Sequence, residues 1–253
     1  MQEKGNGYSF LKVSDIMKAD GYRENFLRAD EPVKMKHNAV RQINARRISM
    51  DALEAVFTRR STRSMKPEAP PREIIEKIVE AGRAAPSGSN SQTTHMIVIT
   101  KKVVLSELSD LVKEAFAAME AAPDAYVSLR RSISAAKKGN YVFHYGAPVL
   151  VVTANRKGYG NALADSACVL ENMMIAANAL DLGACWINQL RWLDEKKKIR
   201  DYMEKLGLKQ DETITGGLIL GYGADGLPER GEKKRNGNPV TWICDPEQDE
   251  FTR

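Results

Sequence analysis

Five residues with the composition of a phosphate-binding loop, RRSTR, occupy positions 59–63. The planar guanidinium group of arginine matches phosphate oxygens, and a serine hydroxyl adds a short hydrogen bond. Lys233, Lys234 and Arg235 form a second cationic cluster towards the end of the sequence. Two short cationic loops fit a compact phosphate better than a long polyanion. Taken alone, residues 59–63 also fit a solvated basic turn.

A second candidate for binding is the loop PSGSNSQ at 86–92, which is rich in small and amide side chains. Asn90 and Gln92 provide hydrogen-bond donors and acceptors side by side, as a heterocycle with imide-like N–H and C=O edges requires. Loops held between regular elements are common places for binding residues. A plain helix-to-strand connection is the alternative interpretation.

Other kinds of site find less support. The glycines of GYGADG at 221–226 match G-x-G-x-x-G, but the next residues, LPERGEKK, do not predict the helix that a dinucleotide site needs. The three histidines are not spaced as metal ligands, and the three cysteines form no C-x-x-C pair. The sequence therefore argues against a Rossmann site, a metal site and an iron–sulfur cluster, and His95 is interpreted as structural.

The overall composition is that of a globular protein. The chain has 253 residues, 43% of them hydrophobic and 28% charged, with a net charge of +5. Its mean hydropathy is −0.41, and it has neither an apolar run long enough to span a membrane nor a secretory signal at its first residues. Without a disulfide framework, a cytoplasmic protein is expected. Nucleic-acid binding is not expected, since no recognised motif is present.

The elements that must position these loops follow from periodicity and from Pro and Gly punctuation. Residues 1–48 are polar and are interpreted as an extension with short helices, and residues 49–253 as the main domain. Within that domain, helices are predicted near 50–59, 71–85, 104–119, 124–137, 161–181 and 194–205. Strands are predicted at 96–100, 147–154, 184–187 and 216–223. This order indicates helices packed around a central sheet.

Two predicted helices have informative faces. Leu53, Val56 and Phe57 fall on one side of the first helix. The helix at 161–181 is the longest and is rich in Ala, Met and Asn. It is either the core of a single domain or partly an interface with a second subunit, because small residues permit close helix approach.

Four motifs, taken in order, resemble the nitroreductase family. RRSTR is followed by KPEAPP and a helix, and PSGSNSQ is similar to the family's P-S-x-x-N-x-Q loop. LDLGACWIN is similar to its L-G-x-x-x-x-I strand, and LILGYG precedes a basic loop, EKKR. The four motifs extend over residues 50–243, roughly three quarters of the chain.

The resemblance implies an α+β fold, an α/β/α sandwich with a central mixed sheet flanked by helices. It implies a homodimer with FMN bound at the subunit interface and NAD(P)H as co-substrate. The implied reaction is ping-pong hydride transfer through the flavin N5 to a nitroaromatic, quinone or related small acceptor. FMN carries the chemistry, so no catalytic side chain is assigned.

The resemblance also carries residue roles to this chain. Arg59, Ser61 and Arg63 match positions that hold the phosphate, the ribityl side and the pyrimidine edge of the flavin, and Arg60 lies within the same motif. Lys233 and Arg235 match a second phosphate-binding pair, and Asn188 and Gln189 the strand end whose backbone donors approach the flavin N5. The expected cofactor-binding residues are Arg59, Arg60, Ser61, Arg63, Pro86, Ser87, Asn90, Gln92, Ile187, Asn188, Gln189, Lys233 and Arg235.

Two departures leave the substrate open. Thr93 and Thr94 stand where the family often has Pro-Trp, and Asn188 and Gln189 where it commonly has Glu-Gly or Gly-Gly. The alternatives are a dehalogenase or biosynthetic dehydrogenase of the same fold, and a non-catalytic protein that binds FMN but resists reduction by NAD(P)H.

Overall fold

The structure is a computed structural model that describes residues 50–226 and 237–243. Its helices are α1 (Ala52–Thr58), α2 (Arg72–Arg83), α3 (Lys102–Ala117), α4 (Val127–Lys137), α5 (Ala162–Ala179), α6 (Gln189–Trp192) and α7 (Lys197–Lys205). Its strands are β1 (His95–Ile99), β2 (Val149–Arg156), β3 (Gly183–Ile187) and β4 (Glu212–Gly221). The predicted boundary between residues 48 and 49, and the predicted site residues Lys233 and Arg235, lie outside the described residues.

The four strands form one sheet in the order β1-β2-β4-β3, and each neighbouring pair is antiparallel. A register shift between Thr153 and Ala154 interrupts the β2–β4 ladder. The predicted α+β fold class is confirmed. A mixed sheet was predicted, but its four strands are all antiparallel to their neighbours. Parallel pairing among the described residues is confined to isolated bridges such as Ser61 with Ala184.

Helices cover both faces of this sheet, as an α/β/α sandwich requires. Along β2, Leu150 and Val152 face one core with α3, α4 and α7, while Val149 and Val151 face a second core with α2 and α5. Successive strand residues point to opposite faces, so burial on both sides explains why this strand reads as an unbroken apolar run. All four side chains are fully buried.

Helix α5 is the central support of the second core. Leu170 and Met173 are fully buried in its middle, and the helix packs against β2, β3 and β4 as well as α1 and α2. Residues 180–182 connect it to β3, so helix and strand run in opposite directions. The start of α5 therefore lies beside the end of β3. The segment that precedes α5 and the residues that follow β3 are close to each other as a result.

The apolar side chains of helix α1 are exposed to solvent, which the sequence did not predict. Leu53, Val56 and Phe57 lie on one face as predicted, but they are 63%, 42% and 53% exposed. The opposite face, with Ala55 and Thr58, packs on α5. An apolar face that a single chain leaves open is a typical feature of an interface.

Within residues 50–226 and 237–243, no helix combines the length and the apolar character needed to cross a membrane.

Candidate functional site

The cationic segment at residues 59–66 is held against the sheet by backbone hydrogen bonds. The amide of Thr62 donates to the carbonyl of Ala184 at 2.9 Å, and the amide of Lys66 to that of Tyr222 at 2.8 Å. The Thr62 side chain is buried against Gly183, where an added Cβ would come within 2.8 Å of Thr62 Cβ and Cγ2. The segment is therefore fixed at the start of β3, and glycine is what permits the close approach.

The arginines of this segment have different surroundings. Arg59 directly follows α1, and its Nε lies 3.4 Å from a carboxylate oxygen of Glu171 on α5. Arg60 folds back so that Nη1 donates to the carbonyls of Phe57 at 2.9 Å and of Arg59 at 2.8 Å. That is a contact typical of a cation at a helix C-terminus. Arg63 is exposed, so Arg59 and Arg63 are better placed than Arg60 to receive an anion.

The electrostatic influence of the segment reaches into the sheet beneath it. Burial raises the pKa of the Cys185 thiol, while the positive charge of Arg63 and a hydrogen bond with Ser61 act in the opposite direction. Arg59 adds a smaller effect of the same sign. The charges of Arg63 and Arg59 thus act on β3 beneath them, although burial sets the net direction of the Cys185 pKa.

The loop at residues 86–92 has a constrained backbone. It contains a short 3₁₀ turn, Gly88–Asn90, and Ser89, Asn90 and Gln92 have φ angles of 52°, 52° and 49°. Such left-handed conformations are uncommon outside glycine and concentrate at functional sites. Gln92 donates from its backbone to Ser87 Oγ at 3.0 Å and from Nε2 to Asn90 Oδ1 at 3.0 Å. The two amide side chains are therefore coupled to each other.

The buried carboxylate of Asp165 anchors this loop to α5. Oδ1 accepts from the amide of Gly88 at 3.0 Å, and Oδ2 accepts from the hydroxyls of Tyr159 at 2.9 Å and Ser91 at 3.4 Å. Asp165 lies in the first turn of α5, where the helix dipole favours a negative charge. Asp165 was not among the predicted site residues, although an acid in the first turn of a helix was a visible signal.

Asp165→Asn is expected to loosen the loop. The amide of asparagine has only one oxygen that can accept a hydrogen bond, and the negative charge that strengthens these bonds is lost. We expect a loss of about 1–3 kcal/mol in the free energy of unfolding and weaker binding of the cofactor. Urea unfolding measures the first effect. Asp110→Asn is the matched control, since Asp110 is an exposed acid whose ion pair among residues 50–226 is with Lys113 three residues away. Equal stability of the two variants would contradict the anchoring role.

The end of β3 contributes the third group of predicted residues. Ile187 is buried, and Asn188 accepts a hydrogen bond from Trp186 Nε1 at 3.0 Å. Gln189 begins α6 and is 7% exposed. Its Oε1 has no hydrogen-bond partner among the described residues. Helix α6 is only four residues long and was not predicted.

One pair of elements, α5 and β3, supports all three groups. Asp165, which holds the loop at 86–92, and Glu171, which pairs with Arg59, are six residues apart and so about 9 Å apart along the helix axis. Strand β3 has the cationic segment at its start and Asn188 after its end. Helix α5 therefore connects the cationic segment with the loop at 86–92, and β3 connects the cationic segment with Asn188.

His95 adjoins this region and has the structural contact that was predicted for it. Its Nδ1 lies 2.9 Å from Oε2 of Glu212, a carboxylate that is 4% exposed. Burial alone would raise the pKa of Glu212, but the hydrogen bonds from His95 and from the Lys209 amide outweigh it, and the net pKa lies below the ordinary value of 4.5. Glu212 is thus held as a carboxylate.

This lowered pKa predicts an acid-dependent part of the stability. The stabilisation is complete above the pKa of Glu212 in the unfolded chain and is lost as the pH falls through the lower folded value. In Glu212→Gln that part is missing, so the stability difference between the two proteins should shrink as the pH falls below 4.5. Urea unfolding at a series of pH values measures it. A difference that stays constant with pH would contradict the assignment.

Comparisons with known proteins agree with this geometry. The model of the "Nitroreductase family" matches residues 56–222. A protein of Archaeoglobus fulgidus named putative NADH dehydrogenase/NAD(P)H nitroreductase is 29% identical over 179 residues, 69% of this chain and 87% of that protein. A 4-nitrobenzoate reductase of Nocardioides is 27% identical over 208 residues, 69% of this chain and 81% of that protein. A crystal structure of a nitroreductase with bound FMN from Bacteroides fragilis has a TM-score of 0.68 and 32% identity, and the match covers 77% of this chain and all of that one.

Proposed function

Because the chain belongs to the nitroreductase family, we propose that it is an FMN-dependent oxidoreductase that uses NAD(P)H to reduce nitroaromatic compounds, quinones or related small acceptors. The family membership predicted from the sequence is confirmed. FMN in the Bacteroides fragilis relative and the name of the archaeal relative support the predicted cofactor and co-substrate. The cytoplasmic location stays a prediction.

The observation that carries the proposal is the fixed cationic segment at 59–66. Backbone bonds at Thr62 and Lys66 hold it to the sheet, and the contact between Thr62 and Gly183 leaves no space for another side chain. Arginine side chains have many rotamers, so a rigid backbone beneath them lowers the entropy lost when they bind. A solvated basic turn would have no reason for such fixation.

The donor set of the site fits FMN. The phosphate monoester of FMN carries nearly two negative charges at neutral pH, and Arg59, Ser61 and Arg63 offer guanidinium and hydroxyl donors for it. The flavin ring has N–H and C=O edges, which the amides of Asn90 and Gln92 match. Gln189 Oε1, in the third group of predicted residues, is buried without a hydrogen-bond partner among the described residues. Such groups are usually satisfied, so a ligand in this region is expected.

When bound, FMN supplies the centre that accepts a hydride from NAD(P)H and returns it to the acceptor. The residues of the chain bind and orient it. Arg59 and Arg63 neutralise negative charge, and the loop at 86–92 presents its amides from a backbone that Asp165 holds in place. Lys233 and Arg235 remain the proposed second phosphate pair.

The proposed assembly is a homodimer with FMN at its interface. Its support is the exposed apolar face of Leu53, Val56 and Phe57, which adjoins Arg59 along the chain. An open apolar face next to a cofactor site is what a partner subunit would cover.

Phe57→Asp is expected to weaken this dimer by about 30-fold or more, because it places an unpaired charge in the centre of the apolar face. Sedimentation velocity across a concentration series measures the dissociation constant. Val103→Asp is the control, since Val103 is 61% exposed on α3 at the other face of the sheet. A wild-type protein that is monomeric, or a dimer that tolerates Phe57→Asp, would contradict the proposed interface.

Steady-state kinetics test the oxidoreductase assignment. With FMN-loaded protein, NADPH or NADH as donor and a quinone or nitroaromatic acceptor, double-reciprocal plots at several acceptor concentrations should give parallel lines, as a ping-pong mechanism requires. Intersecting lines would contradict the ping-pong sequence. Bound FMN without turnover of any donor would favour the non-catalytic alternative.

A further inference from the structure

A groove of about 340 Å³ opens next to the loop at 86–92 and shares only Gln92 with the proposed FMN-binding residues. The groove is lined by residues 91–94, His95, Arg156, Lys209, Asp211 and Glu212. A ligand in the groove would therefore contact the same loop that is proposed to hold FMN.

The sheet topology collects basic side chains at this groove. His95 begins β1, Arg156 ends β2, and Lys209 precedes β4. In the antiparallel register His95 lies opposite Ala154, and Arg156 opposite Glu212. Three basic side chains that are distant in sequence thus lie at the same end of three neighbouring strands.

Buried Glu212 orients two of these side chains, His95 and Lys209. Its Oε2 accepts from the backbone amide of Lys209 at 3.0 Å in addition to its contact with His95, and Oε1 lies 3.6 Å from Lys209 Nζ. The Lys209 side chain nevertheless stays 69% exposed. Because the carboxylate is already surrounded by donors, it fixes the turn at Lys209 and leaves the ammonium group accessible to a ligand.

The other groups in the groove favour an anion on balance. Arg156 is exposed and makes no ion pair with a described residue. Thr93 Oγ1 is buried and lacks a hydrogen-bond partner in the described part of the chain. Asp211 is the opposing charge, an exposed carboxylate that also lines the groove. A guanidinium, an ammonium and a hydroxyl donor together suit a phosphate monoester.

We propose that this groove binds the 2′-phosphate of NADPH and makes the protein prefer NADPH to NADH. The inference rests on the proposed function, since it concerns the donor of that reaction. The two nucleotides differ only in this phosphate, and basic side chains are the usual means of accepting it. The groove supplies such side chains beside the cofactor loop, where a bound donor must lie.

Donor kinetics test the proposal in the FMN-loaded protein. Arg156→Ala and Lys209→Ala should each lower kcat/KM for NADPH by about 10- to 100-fold, as expected for loss of one charge-assisted contact. The kcat/KM for NADH should stay within about two-fold of the wild-type value. Lys113→Ala, which removes a partly exposed lysine of α3 that pairs with Asp110, is the control for net charge. Asp211→Asn should raise kcat/KM for NADPH selectively, a gain that structural damage would not produce. A wild-type protein without preference, or variants that lower both donors equally, would overturn the proposal.

Direct binding separates this proposal from the proposed function. Calorimetry of the FMN-loaded protein with adenosine 2′,5′-bisphosphate and with adenosine 5′-monophosphate requires no turnover. We expect the bisphosphate to bind about ten-fold tighter or better, and the difference to disappear in Arg156→Ala. If the bisphosphate binds tighter but no turnover is found, the oxidoreductase assignment is contradicted and the assignment of the groove as a 2′-phosphate site still stands. Equal binding of the two nucleotides would overturn the groove assignment even if turnover is normal.

Discussion

Arg59→Ala is expected to weaken FMN binding by about 10- to 100-fold. A charge-assisted hydrogen bond to phosphate contributes about 1.5–3 kcal/mol. The Arg59 side chain is 22% exposed and lies where α1 meets the cationic segment, so its charge is only partly screened by solvent. Titration of the apoprotein with FMN, followed by the quenching of flavin fluorescence, measures the dissociation constant.

Glu171→Gln is the control for this prediction. It removes the ion pair of Arg59 with Glu171 but keeps the guanidinium group. Because the carboxylate competes with phosphate for Arg59, FMN affinity should stay the same or increase. If Glu171→Gln weakened FMN as much as Arg59→Ala, the ion pair rather than a phosphate contact would explain the effect. Unchanged affinity in Arg59→Ala would contradict the phosphate assignment itself.

Gly183→Ala is expected to damage both stability and the cofactor site. The added methyl group would lie 2.8 Å from Thr62 Cβ and Cγ2, and Thr62 is 6% exposed and fixed by its bond to Ala184. Threonine is stiff at χ1, so relief requires movement of the cationic segment. Overpacking of this kind costs about 1–3 kcal/mol. Displacement of one phosphate contact would add a loss of about ten-fold or more in FMN affinity.

Two further variants make this prediction specific. Gly160→Ala is the matched control, because nothing lies within 4 Å of an added Cβ there, and it should leave FMN affinity unchanged. Thr62→Ser, combined with Gly183→Ala, removes the clashing Cγ2 and should restore part of the affinity. Urea unfolding and FMN titration measure both effects. Full FMN affinity in Gly183→Ala would show that the segment does not depend on this contact.

The main elements were predictable because their patterns are strong. Helix α2 has isoleucines at helical spacing, and β2 is a short run of buried β-branched and aliphatic residues. Strand β4 begins at Glu212, four residues before the predicted start at 216, because its first residues, ETIT, alternate rather than form an apolar run. The exposure of Phe57 was not predictable either, since periodicity identifies an apolar face but not the surface that covers it.

The site was predictable where motifs are local and less so where contacts join distant residues. The loops at 59–63 and 86–92 could be identified from composition. Asp165 lies 77 residues from Gly88, and Glu212 lies 117 residues from His95, so no spacing rule connects them. The capping contacts of Arg60 were hidden by its place among equivalent arginines. A single sequence shows that such polar residues are present, but it does not show which of them contact each other in the fold.

The most direct test of the central claim is an anaerobic visible spectrum of the purified, FMN-reconstituted protein before and after NADPH or NADH is added. Bound flavin with its absorbance bands is expected at the start, and bleaching of those bands after addition of the nucleotide is the predicted result. A protein that retains no FMN after reconstitution and gel filtration would contradict the cofactor assignment. Bound FMN that neither nucleotide bleaches would contradict its role as an NAD(P)H-dependent oxidoreductase.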